Sequence, residues 1–224
     1  MIVLPIASGK GGVGKSLFAV NIALALGEAG KNVVLADLDL GASNLHMFLG
    51  IRSIKAGLGN FLNSIDIQFE DIIMDTDFKG VRFIPGDAEI PGIANLIASQ
   101  KRNLIKRLLS LDTDYLIIDL GAGTSYNVLD FFLISGRGII VTTPVLTAIL
   151  NGYLFLKNAV FRIMSSSFKS DSPAAGLLEQ LRKEASPLQK VYIPKLLEKI
   201  KEIDQESYDM YMTRVENFQP CVVL

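Results

Sequence analysis

Short runs of consecutive apolar residues recur along the chain and alternate with longer, helix-patterned stretches. The runs span residues 2–6, 32–37, 81–86, 115–119 and 138–142. Each has the length and composition of a strand that is buried on both faces of a sheet. Strands that alternate with helices predict an α/β fold: a three-layer sandwich with a mostly parallel sheet and helices on both faces.

Two details of this pattern bear on the first predicted unit. Pro5 lies within the first run and counts against a central strand, because proline lacks the backbone N–H that the ladder needs. Ser16 to Leu26 is apolar and rich in alanine, which predicts a buried helix closed by Gly27 or Gly30. The first 37 residues therefore predict a strand-loop-helix-strand unit.

The pattern changes near Ser165, where a polar loop is predicted over residues 165–173. We divide the chain into a core and two later segments, with the end expected to be a truncated strand. The core is 1–164, a helical C-terminal segment packed on it is 165–218 (helices at 174–184 and 194–218), and 219–224 begins a further strand.

Composition narrows the class of protein. The chain has 224 residues, a net charge of -1 and one cysteine, Cys221. One cysteine excludes a disulfide framework and any cysteine-based metal site within one chain. No run approaches the roughly 18 apolar residues of a membrane span, and the first run is too short for a signal peptide. We expect a soluble cytoplasmic protein.

A glycine-rich loop follows the first predicted strand. Its sequence fits G-x-x-x-x-G-K-[ST], with Gly9 and Gly14 as the fixed glycines. Glycines let the backbone wrap around phosphates, and the helix that follows presents its positive end to an anion. Lys15 is expected to reach the β- and γ-phosphates, and Ser16 to bind Mg²⁺. The predicted nucleotide-binding residues are Gly9, Lys10, Gly11, Gly12, Val13, Gly14, Lys15, Ser16 and Leu17.

Acidic residues end two of the later predicted strands. Asp37 and Asp39 point the same way on an extended segment, and Asp119 ends the run at 115–119. Ligand sites of α/β proteins form at these carboxyl ends, and Asp119 fits the magnesium-binding aspartate of a P-loop protein. The alternative for Asp37 and Asp39 is a polar loop that caps the next helix.

The loop Lys-Gly-Gly-Val-Gly-Lys-Ser at 10–16 resembles the deviant P-loop of the MinD/ParA superfamily of ATPases. The segment after Asp119 is closest to that of the FlhG-like, flagellar-number branch. The resemblance implies a P-loop NTPase fold, ATP and Mg²⁺ as cofactors, and an ATP-dependent homodimer. Lys10 would then contact the partner's phosphates, with a lysine that only attracts phosphate as the alternative.

The same resemblance assigns further roles. Asp37 would support Mg²⁺ through water, Ser16 and Asp119 would hold it, and Asp39 would orient or deprotonate the attacking water. Lys10, Lys15 and Asp39 are thus the predicted catalytic residues, and Ser16, Asp37 and Asp119 the metal residues. The expected switch residues are Asp37, Asp39, Gly41, Asn44, Asp119, Gly121 and Gly123.

The chain departs from the family pattern at several positions. Val145 and Asn151 stand where relatives carry a glutamate and an aspartate after Thr142-Thr143-Pro144. Leu17 replaces a threonine and removes a side-chain contact to the α-phosphate. His46 replaces an aspartate, and we expect a packed or solvated histidine rather than a catalyst. The adenine-reading asparagine of relatives would follow Leu224.

We expect a slowly hydrolysing ATPase that acts as a dimerisation switch in spatial positioning, of flagella, of the division site or of partitioned cargo, together with a regulatory protein partner. One alternative is a nucleotide-binding module without hydrolysis, and another is an iron–sulfur carrier of the Mrp kind. DNA binding is not predicted. The residues Lys101, Arg102, Lys106 and Arg107 on the helix predicted at 97–109 are interpreted as its solvated face. Attachment to the inner face of the cell membrane would require residues beyond Leu224.

Overall fold

The strands predicted from the apolar runs form one sheet. The computed structural model describes residues 1–40, 43–64, 66–86, 96–183 and 191–224. In this part of the chain the strands are β1 (Ile2–Ser8), β2 (Val33–Leu38), β3 (Met74–Asp75), β4 (Val81–Ile84), β5 (Tyr115–Ala122), β6 (Ile139–Val141) and β7 (Cys221–Val223). Their order is β3-β4-β2-β5-β1-β6-β7. Neighbours pair in parallel except β3, which is antiparallel to β4.

Helices connect these strands. The described residues form α1 (Lys15–Glu28), α2 (Leu45–Phe48), α3 (Leu58–Asn63), α4 (Ala98–Leu109), α5 (Tyr126–Phe132), α6 (Leu146–Ser167), α7 (Pro173–Lys183), α8 (Ile193–Ile203) and α9 (Gln205–Glu216), with a 3-10 helix at Phe69–Ile72. Every residue of β2 is buried, as expected for a strand covered on both faces.

The side chains of β2 show how the layers are arranged. Val33 and Leu35 pack in a cluster with α1, whereas Val34 and Ala36 pack on the opposite face with residues of α4, α5 and α6. Successive side chains of a strand point to opposite faces, so one apolar run supplies both clusters. The predicted three-layer α/β sandwich is confirmed.

Pro5 is accommodated in β1 although this strand lies between β5 and β6. The pairing with β5 includes Pro5 opposite Ile118, while the pairing with β6 begins only at Ile6. The proline therefore lies where one side of the strand has no ladder partner, and there a missing N–H is tolerated.

The sheet register brings two of the predicted acids side by side. Asp37 and Asp119 are register partners on the neighbouring strands β2 and β5, at the carboxyl ends of both. The P-loop leaves β1, the neighbour of β5 on its other side, at the same edge. Parallel pairing thus collects the three predicted motifs at one edge of the sheet.

The C-terminal helices pack around the second half of α6. Phe161, Met164, Leu178, Ile200 and Tyr211 belong to one buried cluster that joins α6 to α7, α8 and α9. The earlier half of α6 belongs instead to the cluster on the sheet. The helix therefore runs through the boundary predicted at residues 164 and 165, and the domain division itself stays a prediction.

Several sequence-based boundaries were wrong. The polar loop expected from Ser165 begins later, because the hydroxyls of Ser165 and Ser167 donate to carbonyl oxygens of Phe161 and Ile163 and so fit inside the helix. The helical stretch at 194–218 is broken at Asp204, whose side chain caps α9. The short elements β3, α2, α3 and the 3-10 helix were not predicted.

The predicted solvated face of α4 is confirmed for Arg102 and Lys106, which are exposed, and is wrong for Lys101. Lys101 is mostly buried and pairs with Asp130 of α5, which also binds Arg162 of α6. Its long side chain lies along the protein and does not extend into solvent. Arg107 is more exposed and lies 3.8 Å from Glu70.

Candidate functional site

The loop between β1 and α1 has the backbone conformation that phosphate binding needs. Gly12 and Gly14 have φ values of 77° and 87°, in the left-handed region that glycine adopts without strain. Gly14 is the N-cap of α1, and its carbonyl oxygen accepts the first helical hydrogen bond, from Phe18. The backbone N–H groups of Lys15, Ser16 and Leu17 therefore precede the helical ladder and remain available to an anion.

Gly9 and Gly11 differ in what surrounds them. A Cβ on Gly9 would overlap the backbone carbonyl of Asn151, because the P-loop lies directly against α6. A Cβ on Gly11 would meet nothing within 4 Å. Gly9 is thus required for packing, whereas Gly11 faces open space on the exposed side of the loop.

Lys15 connects the P-loop to β5. Its Nζ donates to Asp119 Oδ1 at 2.6 Å and to Ser16 Oγ at 3.3 Å. Lys15 is 7% exposed and Asp119 is 1% exposed. The pair neutralises two buried charges at the position where triphosphate and cation are expected.

Asp37 is the centre of a hydrogen-bond network. Its Oδ2 accepts from Ser43 Oγ at 2.7 Å and from the backbone N–H groups of Asn44 and Leu45. Its Oδ1 accepts from the backbone N–H of Asp39 at 3.1 Å. The capping alternative thus describes one part of what Asp37 does, since the carboxylate orders the backbone that enters α2. Asp37 also lies beside Asp119 in the sheet, and its support of Mg²⁺ stays a prediction.

Burial shapes the electrostatics of both carboxylates. Burial raises the pKa of Asp119 above its ordinary value, and the charge and hydrogen bond of Lys15 only partly oppose this. Burial likewise raises the pKa of Asp37, against the hydrogen bonds from Ser43, Leu45 and Asp39. Both anions therefore gain from a nearby cation.

The two predicted switch segments touch each other. A Cβ on Gly121 would lie 3.1 Å from Asp39 Oδ1, so the carboxylate approaches the backbone at the end of β5. Gly123 has a φ of 92°, and its N–H donates to the carbonyl oxygen of Ser8 at the end of β1. Gly41 lies outside the described residues.

Lys10 extends along the surface of its own chain. Its Nζ donates to Thr147 Oγ1 at 3.2 Å, near the start of α6, and the residue is exposed. Leu17 is also exposed, at 52%, and Val13 packs beside the α1 cluster. Among the described residues the one hydrogen-bond partner of Lys10 is Thr147, and its exposed position makes it accessible to another molecule.

Buried polar atoms without a partner cluster at this edge of the sheet. Asp119 Oδ2, Ser8 Oγ and Thr142 Oγ1 have no hydrogen-bond partner among the described residues. They lie at the carboxyl-terminal parts of β5 and β1 and just after β6. Buried polar groups are rarely left unpaired, so these atoms indicate a polar ligand. Ser8 and Thr142 were not among the predicted site residues, although Ser8 directly precedes the P-loop and Thr142 begins the segment Thr142-Thr143-Pro144.

His46 lies on α2 and is half-buried, with Nδ1 buried and without a partner among the described residues. No predicted site residue donates to it or accepts from it in this part of the chain. The expectation of a packed histidine is consistent with this position.

The oxygen atoms present fit Mg²⁺. Ser16 supplies a hydroxyl and Asp119 a carboxylate, with Asp37 beside it, and hard oxygen ligands are those that Mg²⁺ takes. The described residues contain no group of three or more His, Cys, Asp or Glu residues able to hold a metal alone. Mg²⁺ commonly binds one or two carboxylates together with substrate phosphates, which suits this site.

Comparison with known proteins agrees with this geometry. A profile described as "ParA: NUBPL iron-transfer P-loop NTPase" matches residues 1–164. Antiactivator FleN of Pseudomonas aeruginosa is 28% identical over 190 residues, covering 81% of this chain and 67% of that protein. Flagellum site-determining protein YlxH of Helicobacter pylori is 32% identical over 158 residues, covering 69% and 52%.

Solved structures give the same family. The septum site-determining protein MinD of Pyrococcus horikoshii, complexed with Mg-ADP, has a TM-score of 0.62 and 30% identity, covering 70% of this chain and 65% of that one. The chain spans about half the length of YlxH. Because the family profile covers most of the chain and the fold and loop agree with it, the chain belongs to the ParA/MinD family of P-loop NTPases.

Proposed function

We propose that this chain binds Mg-ATP, hydrolyses it slowly and acts as an ATP-dependent dimerisation switch in spatial positioning. The observation that carries the proposal is the convergence of Lys15, Asp37 and Asp119. Lys15 is bonded to Asp119, and Asp37 and Asp119 are register partners on neighbouring strands. Relatives named as flagellum and septum site-determining proteins support the positioning role.

The residues of the chain would divide the work. Backbone N–H groups from Gly11 to Leu17 bind the phosphates, and Lys15 exchanges Asp119 for the β- and γ-phosphate oxygens. Ser16, Asp119 and, through water, Asp37 hold the cation, which neutralises phosphate charge when bound. Asp39 orients or deprotonates the attacking water.

The start of α6 supports the proposed homodimer. Val145, Leu146, Ile149, Leu150 and Tyr153 form an exposed apolar surface here, the α6 stripe, with exposures between 46% and 71%. From Leu146 onward they follow the spacing of one helix face. Contiguous apolar surface of this kind marks an interaction site. It adjoins Thr147, the residue that holds Lys10, so a second copy placed here would bring Lys10 to a partner's phosphates.

Contact between the two switch segments supports a conformational change that depends on the bound nucleotide. Asp39 lies against Gly121, and Gly123 bonds to the end of β1. Loss of the γ-phosphate would alter the Asp39 position and, through Gly121, the loop after β5. A regulatory protein partner would read or hasten that step.

The experiment that tests the proposal compares nucleotide binding, ATP turnover and sedimentation for the wild type and three variants. Lys15→Ala is expected to lose nucleotide binding. Lys10→Ala should keep binding but lose dimerisation, and Asp39→Ala should bind and dimerise without turnover. Asp77→Ala is the matched control, because Asp77 is exposed and precedes the amino end of β4. A wild type that neither binds nucleotide nor dimerises with it contradicts the proposal.

The action of Lys10 across the dimer has a separate test. Lys10→Ala and Asp39→Ala proteins are mixed, so that each mixed dimer holds one site with Asp39 of its own and Lys10 from the other copy. Each mixed dimer carries one complete site and keeps one of the two Lys10 contacts, so turnover is expected to rise above that of either variant alone. If Lys10 acts within its own chain, the mixture stays inactive.

Two alternatives have their own tests. A module that binds nucleotide without hydrolysis would show no product in a single-turnover ATP assay. An iron–sulfur carrier finds support in the family profile and in the iron-sulfur cluster carrier protein of Bacillus subtilis, 30% identical over 182 residues. The chain has only Cys221, exposed on β7. Two copies would supply two thiolates, fewer than the four that a cluster commonly takes. Anaerobic reconstitution with iron and sulfide measures this directly.

The cellular setting of the proposed switch is the cytoplasm, and vesicle flotation measures whether the chain attaches to the inner membrane face. In the part of the chain that the structure describes, no helix has the length and apolar character of a membrane span. DNA binding forms no part of the proposal: of the four basic residues on α4, Lys101 is paired and Arg107 lies near Glu70, which leaves only Arg102 and Lys106 exposed.

A further inference from the structure

A cavity lies between α5, α6 and α7, away from the P-loop. Its volume is about 310 Å³, near the lower end of the range for ligand pockets. The lining residues are Thr124, Ser125, Tyr126, Leu129, Asn158, Phe161, Arg162, Ser165, Leu178 and Leu181. Its described lining is apolar where it is buried and polar where it is exposed, and it includes the charged residue Arg162.

That charged residue, Arg162, is fixed in orientation. Its Nε and Nη2 donate to the two oxygens of Asp130, and its guanidinium lies 5.0 Å from the ring centroid of Tyr126. No described residue accepts from Nη1. Lys101 also pairs with Asp130, so the three charges sum to one net positive charge. A guanidinium that is held in place loses little entropy when it binds a carboxylate.

The cavity size limits what can enter. A space of about 310 Å³ holds one large apolar side chain and an adjoining polar group, and it is too small for a helix. Tyr126 at the rim is 57% exposed, so the cavity opens to the surface. These features favour an extended peptide over a folded element.

We propose that this cavity is a docking site for an acidic peptide segment of a partner protein. One large apolar side chain of the peptide enters between Leu129, Phe161 and Leu178, and a neighbouring carboxylate pairs with Arg162. The site lies directly after Gly123, which ends the predicted switch segment. Its occupancy depends on none of the nucleotide-binding residues.

The test uses nucleotide-free full chain, so that a failure of the proposed ATPase leaves it intact. The probe is 8-anilinonaphthalene-1-sulfonate, which combines an apolar ring system with one anion, and its fluorescence reports binding. One saturable site is expected in the wild type. Asn158→Phe should weaken binding roughly tenfold or more by filling the cavity. Asn63→Phe is the matched control, since the side chain of each asparagine donates to a carbonyl four residues earlier in its own helix.

Tyr126→Ala provides a second variant at an exposed residue, where a substitution is expected to disturb folding less than one in the core. It removes the ring beside the guanidinium, and weaker probe binding is expected. Displacement then identifies the occupant: an acetylated Glu-Phe-Glu amide should displace the probe, and Lys-Phe-Lys amide should not. Unchanged probe binding in Asn158→Phe, or equal displacement by the two peptides, overturns the proposal.

Discussion

At the scale of single residues, the pair of Lys15 and Asp119 has the largest consequences. Both groups are buried and the distance between their charged atoms is 2.6 Å. Each therefore compensates the burial of the other until a ligand arrives. Nucleotide and cation must replace this bond together, because a phosphate that takes Lys15 leaves Asp119 uncompensated.

Removal of one partner alone should therefore destabilise the free protein. Lys15→Ala is expected to lower the free energy of unfolding by about 3–5 kcal/mol, since it leaves a buried carboxylate without its cation. The double variant Lys15→Ala with Asp119→Asn should recover part of that loss. Urea unfolding of the four proteins in this cycle gives the coupling free energy, and additive losses would show that the two groups are independent.

The two glycines of the P-loop make a matched pair of substitutions. Gly9→Ala should lower the melting temperature, because its Cβ would overlap the Asn151 carbonyl and push the loop away from α6. Gly11→Ala places its methyl group in open space and should leave the melting temperature unchanged. Calorimetry without nucleotide makes the comparison, and equal effects would contradict the packing role of Gly9.

At the scale of helices and strands, apolar patterning predicted most of the strands, but it could not predict the short elements. The runs that became β1, β2, β4, β5 and β6 were predicted because strands buried on both faces are continuously apolar. β3, α2 and α3 contain between two and six residues, too few to show a period. The serines at the end of α6 suggested a loop because the sequence does not show that their hydroxyls bond inside the helix.

The sequence likewise predicted one part of the candidate site and not another. The P-loop and the acids were found because their spacing is dictated by phosphate and metal binding. Ser8 and Thr142 were missed, since a buried hydroxyl without a partner can be recognised only from coordinates. The contact of Lys10 with Thr147 depends on how α6 packs, 137 positions along the chain.

The α6 stripe gives a prediction at the scale of this helix. Leu146→Glu places a charge on the proposed dimer surface and should abolish ATP-dependent dimerisation while nucleotide binding is kept. Leu109→Glu is the control, because Leu109 is 43% exposed at the end of α4. Sedimentation with Mg-ATP measures the outcome, and a Leu146→Glu protein that still dimerises would exclude the stripe from the interface.

Asp130 links α4, α5 and α6 through its ion pairs with Lys101 and Arg162, and these pairs make the stability of the fold depend on pH. Burial raises the pKa of Asp130, but hydrogen bonds and charges from Arg162 and Lys101 outweigh it, and the pKa lies below its ordinary value. The ionised carboxylate therefore stabilises the fold above the unfolded pKa of about 3.9, and this stabilisation is lost as the pH falls through the lower folded value.

Asp130→Asn removes the charge on which that dependence rests. At neutral pH it should lower the free energy of unfolding by about 1–3 kcal/mol, because Lys101 and Arg162 lose their common partner. The difference from the wild type should shrink as the pH falls below about 4. Urea unfolding between neutral and acidic pH measures it, and a difference that is independent of pH would contradict the assignment.

At the scale of the whole molecule, ligand binding and folding are coupled through the site. The P-loop, the acids and α6 come from distant parts of the chain, and only the folded state brings them together. A ligand of this site therefore stabilises the entire fold by mass action.

Mg-ATP at a hundredfold excess over its dissociation constant should add about 2.7 kcal/mol of stability, a rise of roughly 5–11 °C in the melting temperature. Asp119→Asn should show a smaller rise, and addition of EDTA should reduce that of the wild type. Thermal unfolding with each component omitted in turn makes the measurement. A wild-type melting temperature that Mg-ATP leaves unchanged would show that the cradle is not used.

The helix α6 also has a mechanical consequence. It has 22 residues, about 33 Å in length, and it touches the P-loop near Asn151 while its far end is bonded to Arg214 of α9. A rigid helix held in this way would act as a lever with its pivot near Gly9. A tilt of about 5° at the pivot displaces the distant end by roughly 2 Å. A displacement of the P-loop would thereby be enlarged at the end of α6 that contacts α9.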